Sequence, residues 1–295
     1  NGPYIIESVN PGRSVTLKRD ENYWAKDLPV NKGRYNFDKI IYEYYKDNTV
    51  ALEAFKAGEY DFREERTARN WANSYTGQKF DSGELIKEEI AHERPAGLQA
   101  FIINTRRDLF KDQRVREAIG YAFDFEWTND NLFNGQYARN QSFFENSELA
   151  SRGLPSKEEL EILTPLKGQI PDSVFTTEFS TPSTDTPDSI RKNLRTASKL
   201  LKEAGYAVVN NKLVNVKTKK PFVFEFLLYQ KDFERVVQPF IKNLEKLGIE
   251  ASIRVVDTTQ YINRSRSFDF DIMVGGFGQS NSPGNEQREY WHSSK

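Results

Sequence analysis

Hydrophobic and polar positions follow one rhythm in the second half of the chain and another in the first. After residue 189, Ile190, Leu194, Ala197, Leu201 and Ala204 recur at helical spacing and stop at Gly205. Phe222, Phe224, Phe226 and Leu228 then alternate, as in a strand with one buried face. Phe233, Val237, Phe240, Leu244 and Leu247 return to the helical period and stop at Gly248. Ile249, Ala251, Ile253 and Val255 alternate again. This succession predicts a βαβ unit, whose right-handed crossover leaves its two strands parallel. The second half therefore reads as an α/β lobe.

The first third reads as sheet with one helix. Residues Ser14 to Arg19 alternate, with Val15 and Leu17 on one face, and Phe37 to Tyr45 form a second strand rich in Ile and Tyr. Asn48 is the expected N-cap of a helix carrying Val50, Ala51, Ala54 and Phe55, closed by Gly58. Tyr23-Trp24 is expected to be a buried pair beside this sheet. Past Pro95, Leu98 to Ile103 form an apolar strand that ends at Asn104-Thr105. Val115, Ala118, Ile119, Ala122 and Phe123 then mark one face of a helix. Residues 145–188, rich in Pro, Ser and Thr, read as an irregular segment wrapping a surface.

Near the end, Phe268 to Val274 has strand character and passes through Gly275 and Gly276 into Phe277-Gly278-Gln279-Ser280-Asn281-Ser282-Pro283-Gly284-Asn285-Glu286. Glycines after a strand allow a sharp bend or the close approach of another backbone. The amides and hydroxyls that follow are neutral donors and acceptors suited to a polar, uncharged partner. An ordinary loop has the same composition, so the segment gains weight only from its context.

Composition narrows the classes. A chain of 295 residues is long for one core and predicts two lobes. Lys+Arg 42 against Asp+Glu 43 gives a net charge of -1, which offers no general field for nucleic acid or an anionic membrane. No apolar run approaches the ~18 residues of a membrane span. Cysteine is absent, which excludes thiolate catalysis, disulfides and Cys-ligated zinc. With His92 and His292 the only histidines, an H-E-x-x-H zinc helix is excluded as well. No cofactor or metal is expected. The chain begins at Asn1 without a Met, carries no signal peptide and ends at Lys295 without a structural stop; both termini are expected to be cuts within a larger protein.

Several strings, in order along the chain, resemble the family of large solute-binding proteins of peptide and nickel ABC importers, family 5. They are Gly2-Pro3-Tyr4 with Leu17-Lys18-Arg19-Asp20-Glu21-Asn22-Tyr23-Trp24, then Phe37-Asp38-Lys39-Ile40, Ala54-Phe55-Lys56-Ala57-Gly58-Glu59-Tyr60-Asp61, and Phe110 to Ala118. Ala122 to Trp127, Ser142 to Ala150, Val256 to Tyr261 and Ser282 to Arg288 resemble its Yej-type branch, binders of oligopeptides and microcin C. The resemblance implies an α/β fold of the two-lobe, periplasmic-binding-protein type II kind. It places a partial first lobe at 1–95 and most of the second lobe at 96–295.

By the same resemblance the function is that of a periplasmic receptor, a monomer and not an enzyme. It would capture an oligopeptide or peptide-like ligand between the lobes and pass it to the membrane subunits of an ABC importer, with no nucleic-acid partner. The segments Arg94 to Arg107 and Val274 to Glu286 would lie at hinge and cleft. Asn104, Arg107, Phe277, Gln279, Ser280, Asn281, Ser282 and Glu286 are the ligand-binding candidates. The family's dipeptide and oligopeptide binders hold the ligand ammonium with an Asp in the loop matching Phe277 to Pro283. This chain has no acid there, so Glu286 or the rest of the protein must supply the counter-charge, or the ligand is not held by a free amine. A second reading is a hydrolase using Asp269 and Asp271, which share a strand face.

Overall fold

The computed structural model describes every residue except Asn1, Pro187 and Lys295. Pro187 belongs to the segment expected to be irregular, and the other two are the termini; all three lie outside the described residues. The chain forms two compact units, Asn1–Glu88 and Glu89–Lys295. That division falls slightly before the 95/96 boundary expected from the sequence.

In the first unit, β1 (Tyr4–Asn10), β2 (Ser14–Arg19) and β3 (Lys39–Glu43) form an antiparallel meander with β2 in the middle. β1 carries no alternation, and most of its side chains are exposed, which is why its sequence gives no strand signal. Helix α1 (Asn48–Ala57) is capped by Asp47, not Asn48. The Asp47 carboxylate accepts from Thr49 N at 2.7 Å and Val50 N at 3.1 Å, satisfying two of the free donors of the first turn. Gly58 closes α1 with φ 87°. Two short helices follow, α2 (Ala68–Asn73) and α3 (Gln78–Asp81), and Leu52, Phe55 and Tyr75 make the small core between them and α1. Tyr23 and Trp24 are not a buried pair. Trp24 is 78% exposed, and the residue buried in that turn is Ala25.

The second unit opens with β4 (Leu98–Ile103), α4 (Gln113–Tyr121) and α5 (Phe125–Leu132). The segment expected to be irregular contains α6 (Lys157–Leu163) and the single turn α7 (Ser173–Thr176). Ser156 and Glu159 form a reciprocal capping box at the start of α6, a signal present in the sequence. Then come α8 (Ser189–Glu203), the hairpin β5 (Tyr206–Val209) and β6 (Lys212–Asn215), β7 (Val223–Leu228), α9 (Glu234–Glu245), β8 (Glu250–Val255), α10 (Thr258–Arg266), β9 (Ile272–Phe277) and α11 (Glu286–Trp291). β7 is parallel to β8, as the βαβ pattern predicts, and also parallel to β9. β4 runs antiparallel to β9, and the sheet order is β4-β9-β7-β8.

One face of this sheet carries the main core. Phe224, Phe226 and Leu228 of β7 join Val115 and Ile119 of α4, Leu201 of α8, and Val237, Phe240 and Leu244 of α9 in one cluster. The other face is closed by Leu227 against Tyr261 of α10 and Phe270. Because β7, β8 and β9 are parallel, their C-terminal ends share one edge with the N-terminal end of β4. Open α/β sheets place ligands at that edge.

The aromatic contacts at Phe226 mark the centre of the core: its ring lies 5.5 Å from Phe101, 5.3 Å from Phe224 and 5.5 Å from Phe240. Phe226→Ala is expected to destabilise the fold by about 3–5 kcal/mol. Urea unfolding checks this, and a loss under ~1 kcal/mol would contradict the assigned core.

Candidate functional site

The geometry of the site begins with an unequal pairing. β4 pairs with β9 along the whole of Ile272–Phe277, whereas β7 pairs with it only at Phe226↔Ile272 and Leu227↔Met273. Peptide groups alternate in direction along a strand. Asp271 C=O points to β4, where it accepts from Asn104 N at 2.9 Å. The peptide groups of Ile272, Val274 and Gly276 therefore point to the β7 side. Val274 C=O accepts from the Tyr261 hydroxyl. Gly276 comes next, and its N–H and C=O face the space beyond the end of β7, with no strand paired to them among the described residues.

The two glycines of β9 have different reasons to be glycine. A Cβ at Gly275 would lie 2.7 Å from Ile102 Cγ1, so internal packing excludes a side chain there. At Gly276 a Cβ would meet only Leu98 O at 3.4 Å, and the residue is not in the left-handed region. Its lack of a side chain keeps an open floor in a cavity of about 450 Å³, also lined by Gly97, Gln99, Tyr229, Tyr261 and Gly278. None of the residues lining this cavity is charged.

The loop after β9 is held by its own side chains. Phe277 stacks on Trp291 (5.7 Å, 18°) and meets Phe143 edge-on at 5.7 Å. Gln279 Oε1 accepts from Gln287 Nε2 at 2.5 Å, and Gln279 Nε2 is buried with no partner among the described residues. Ser280 Oγ donates to Ser282 C=O at 2.7 Å. Glu286 accepts from Gly284 N at 2.8 Å, and that N–H holds its carboxyl below the ordinary carboxylate range. The acid is thus ionised but turned onto its own loop.

Asn281 borders a second depression, of about 720 Å³, beside Arg94, Glu145, Glu148 and Arg152. Its wall is clamped. Asn146 Nδ2 donates to His92 C=O at 2.8 Å and Arg94 C=O at 3.0 Å, and Ala96 N donates to Glu145 C=O at 2.7 Å. Burial pulls the Glu145 carboxyl upward, but the Gln141 N–H and Arg152 outweigh it and hold the group below its usual value.

The expected site residues divide into two groups. Phe277, Gln279, Ser280, Asn281, Ser282 and Glu286 gather at the edge just described. Asn104 and Arg107 lie at the opposite end of the β4–β9 pair, about 20 Å away at 3.3 Å per residue. Both segments run from apolar strand into polar loop, but antiparallel pairing sends the two loops to opposite ends. Asn104 is 3% exposed; its Nδ2 donates to Phe268 C=O at 2.9 Å and Phe270 C=O at 2.8 Å, and its Oδ1 accepts from Arg106 N at 3.1 Å. An amide expected to pair with ligand backbone or with the opposing hinge strand is spent on the turn before β9. Arg107 pairs with Asp269 at 3.1 Å and Asp271 at 3.2 Å, and Asp271 also accepts from Glu225 N at 3.0 Å.

Gly276, within the expected cleft segment, is joined at the edge by residues the sequence did not single out as a site: Tyr229, Tyr261 and Trp291. The available signal for Tyr229 was its position, directly after the last residue of a parallel strand.

A model of the family described as "Bacterial extracellular solute-binding proteins, family 5 Middle" matches residues 1–295. A probable peptide-binding protein, YejA of Agrobacterium fabrum, is 46% identical over 295 residues, covering 99% of this chain and 48% of that protein. The uncharacterized protein YejA of Escherichia coli is 42% identical over 293 residues, again covering 99% and 48%. The chain spans about half the length of these relatives. Among solved structures, the oligopeptide-binding protein AppA of Bacillus subtilis, in complex with a nonapeptide, is 20% identical with a TM-score of 0.66, covering 99% of this chain and 49% of that one.

Asn104→Leu keeps the side-chain volume while removing the side-chain donor to the Phe268 carbonyl and leaving the Phe270 carbonyl with Arg107 Nε alone. A destabilisation of about 1–3 kcal/mol is expected, with little change in ligand affinity of the folded protein. Denaturant melts paired with calorimetry test this; a stable variant that has lost affinity would return Asn104 to the ligand site.

Proposed function

Because the chain belongs to the family 5 bacterial extracellular solute-binding proteins, we propose that it is part of a receptor that captures peptides for an ABC importer. The observation that carries this reading is the unpaired peptide group of Gly276 in an uncharged cavity at the C-terminal edge of the sheet. An extended peptide can take the place that β7 vacates, pairing its own N–H and C=O with the strand. Main-chain pairing gives affinity with little dependence on sequence, as a receptor for many peptides requires. The names of the relatives point the same way: one is a probable peptide-binding protein, and the AppA structure holds a nonapeptide.

The two compact units belong, in this reading, to the first and second lobes of a longer protein that closes on its ligand at a hinge. Binding and closure are then one equilibrium. The receptor works as a monomer in the periplasm, partnered by the importer's membrane subunits and not by nucleic acid, and it catalyses nothing. Against a carboxylate-dependent hydrolase, Asp269 and Asp271 are engaged with Arg107 and, for Asp269, Arg264 as well, at the end of the sheet away from both cavities. The loop's one acid, Glu286, accepts from Gly284 N, and a counter-charge for a ligand ammonium group falls to it or to the rest of the longer protein.

Calorimetry on the full-length protein tests this with tetra-alanine and with a set of tetra-alanines N-methylated at one peptide bond each. One or two of the methylated peptides should lose roughly a factor of 3–30 in affinity, the worth of a hydrogen bond or two. Equal affinity across the set, or no binding of any peptide, would sink the proposal.

A further inference from the structure

The cavity at Gly276 has a second wall whose chemistry the backbone pairing does not use. Tyr229 follows the last residue of β7 and is 42% exposed. Beneath it lies Tyr261, only 9% exposed, with ring centroids 4.8 Å apart and planes tilted by 54°. Tyr261 is in turn fixed from both sides. Its ring packs with Leu227 and Phe270, and its hydroxyl donates to Val274 C=O. Tyr229 is thus a half-exposed aromatic face on a braced support, where an unsupported surface tyrosine would swing freely.

Leu98, Gln99, Val274 and Phe277 also line the cavity, and glycines supply the remainder. A Cβ at Gly278 would meet nothing within 4 Å, and one at Gly97 only Phe277 O at 3.5 Å and Gly278 Cα at 3.9 Å. Neither has a left-handed φ that would require glycine. Together with Gly276 they keep a flat floor of peptide planes, and no charged residue lines the space. A slot with an aromatic wall, glycine backbone in its floor and no charged lining suits a planar or apolar group and offers no opposite charge to an ammonium or carboxylate.

We propose that Tyr229 forms a specificity pocket, within the peptide site proposed above, for one aromatic side chain of the ligand. The bound peptide would pair with Gly276 through its backbone. On an extended strand, side chains leave alternately to the two faces, so one of them is directed at the Tyr229 ring while its neighbours point away. Tyr261 acts as a positioning residue that holds the ring in place. The proposal rests on the peptide-binding reading and adds to it a preference at a single ligand position.

The test is calorimetry on the full-length protein with tetra-alanine and the four tetrapeptides carrying one Phe at successive positions. In the unchanged protein, Phe at one position should raise affinity roughly 3- to 10-fold over tetra-alanine, the range measured for aromatic pairs. Tyr229→Ala should abolish that gain, read as the ratio of Phe-peptide to tetra-alanine affinity on the same variant, whereas Tyr229→Phe should retain it. Melting curves of both variants verify folding. If tetra-alanine binds but the Phe preference is absent, or survives Tyr229→Ala, the pocket is refuted and the peptide reading stands. If no peptide binds the unchanged protein, both fall.

Discussion

The feature on which the rest depends is the early end of one hydrogen-bond ladder. β7 pairs with β9 at two positions and stops, while β9 continues to Phe277 with β4 alone beside it. An unpaired strand edge at the surface is a template for another chain. Natural proteins usually blunt such edges with charge, proline or a covering element. Here the edge is bordered by uncharged residues and glycines, and the helix that reaches it, α10, satisfies only the Val274 carbonyl. The next peptide group, that of Gly276, is left available.

The neighbouring elements serve to keep that edge rigid. Phe226, Phe240 and their partners fix β7 on one face, and Leu227, Tyr261 and Phe270 fix it on the other. At the far end of the β4–β9 pair, Asn104 ties the turn before β9 to the end of β4 with two hydrogen bonds, and Arg107 adds ion pairs. These groups resemble site residues in sequence because they too are polar residues at strand ends. Their task is to set the register of β9, on which the direction of every peptide group along it depends.

The βαβ unit was legible in the sequence because its residues are buried on a clear period: Phe224 and Phe226 alternate into the core, and Val237, Phe240 and Leu244 follow one helical face. β1 was not, because most of its side chains meet solvent and no alternation is left to read. Helix α6 was overlooked although Ser156 and Glu159 announce it, since the surrounding Pro and Ser dominate the composition. The loop from Phe277 to Glu286 was legible as a candidate site from its glycines and neutral side chains, and the sheet brings it to the C-terminal edge. Asn104 and Arg107 were misplaced because local sequence does not say whether two strands run parallel or antiparallel, and that alone decides which loops meet. Tyr229 and Tyr261 lie 32 positions apart in the chain, and only the packing of α10 against the sheet brings their rings together.

Amide hydrogen exchange at Gly276 tests the central claim most directly. In the ligand-free full-length protein this N–H should exchange quickly, while amides of the paired core strand β7 are protected. Saturating tetra-alanine should slow Gly276 far more than a general closing of the protein slows the exposed Ser280 and Asn281 amides. If the peptide binds and Gly276 exchange does not change, or if Gly276 is already as protected as β7 without ligand, the open edge of β9 is not where the ligand's backbone pairs.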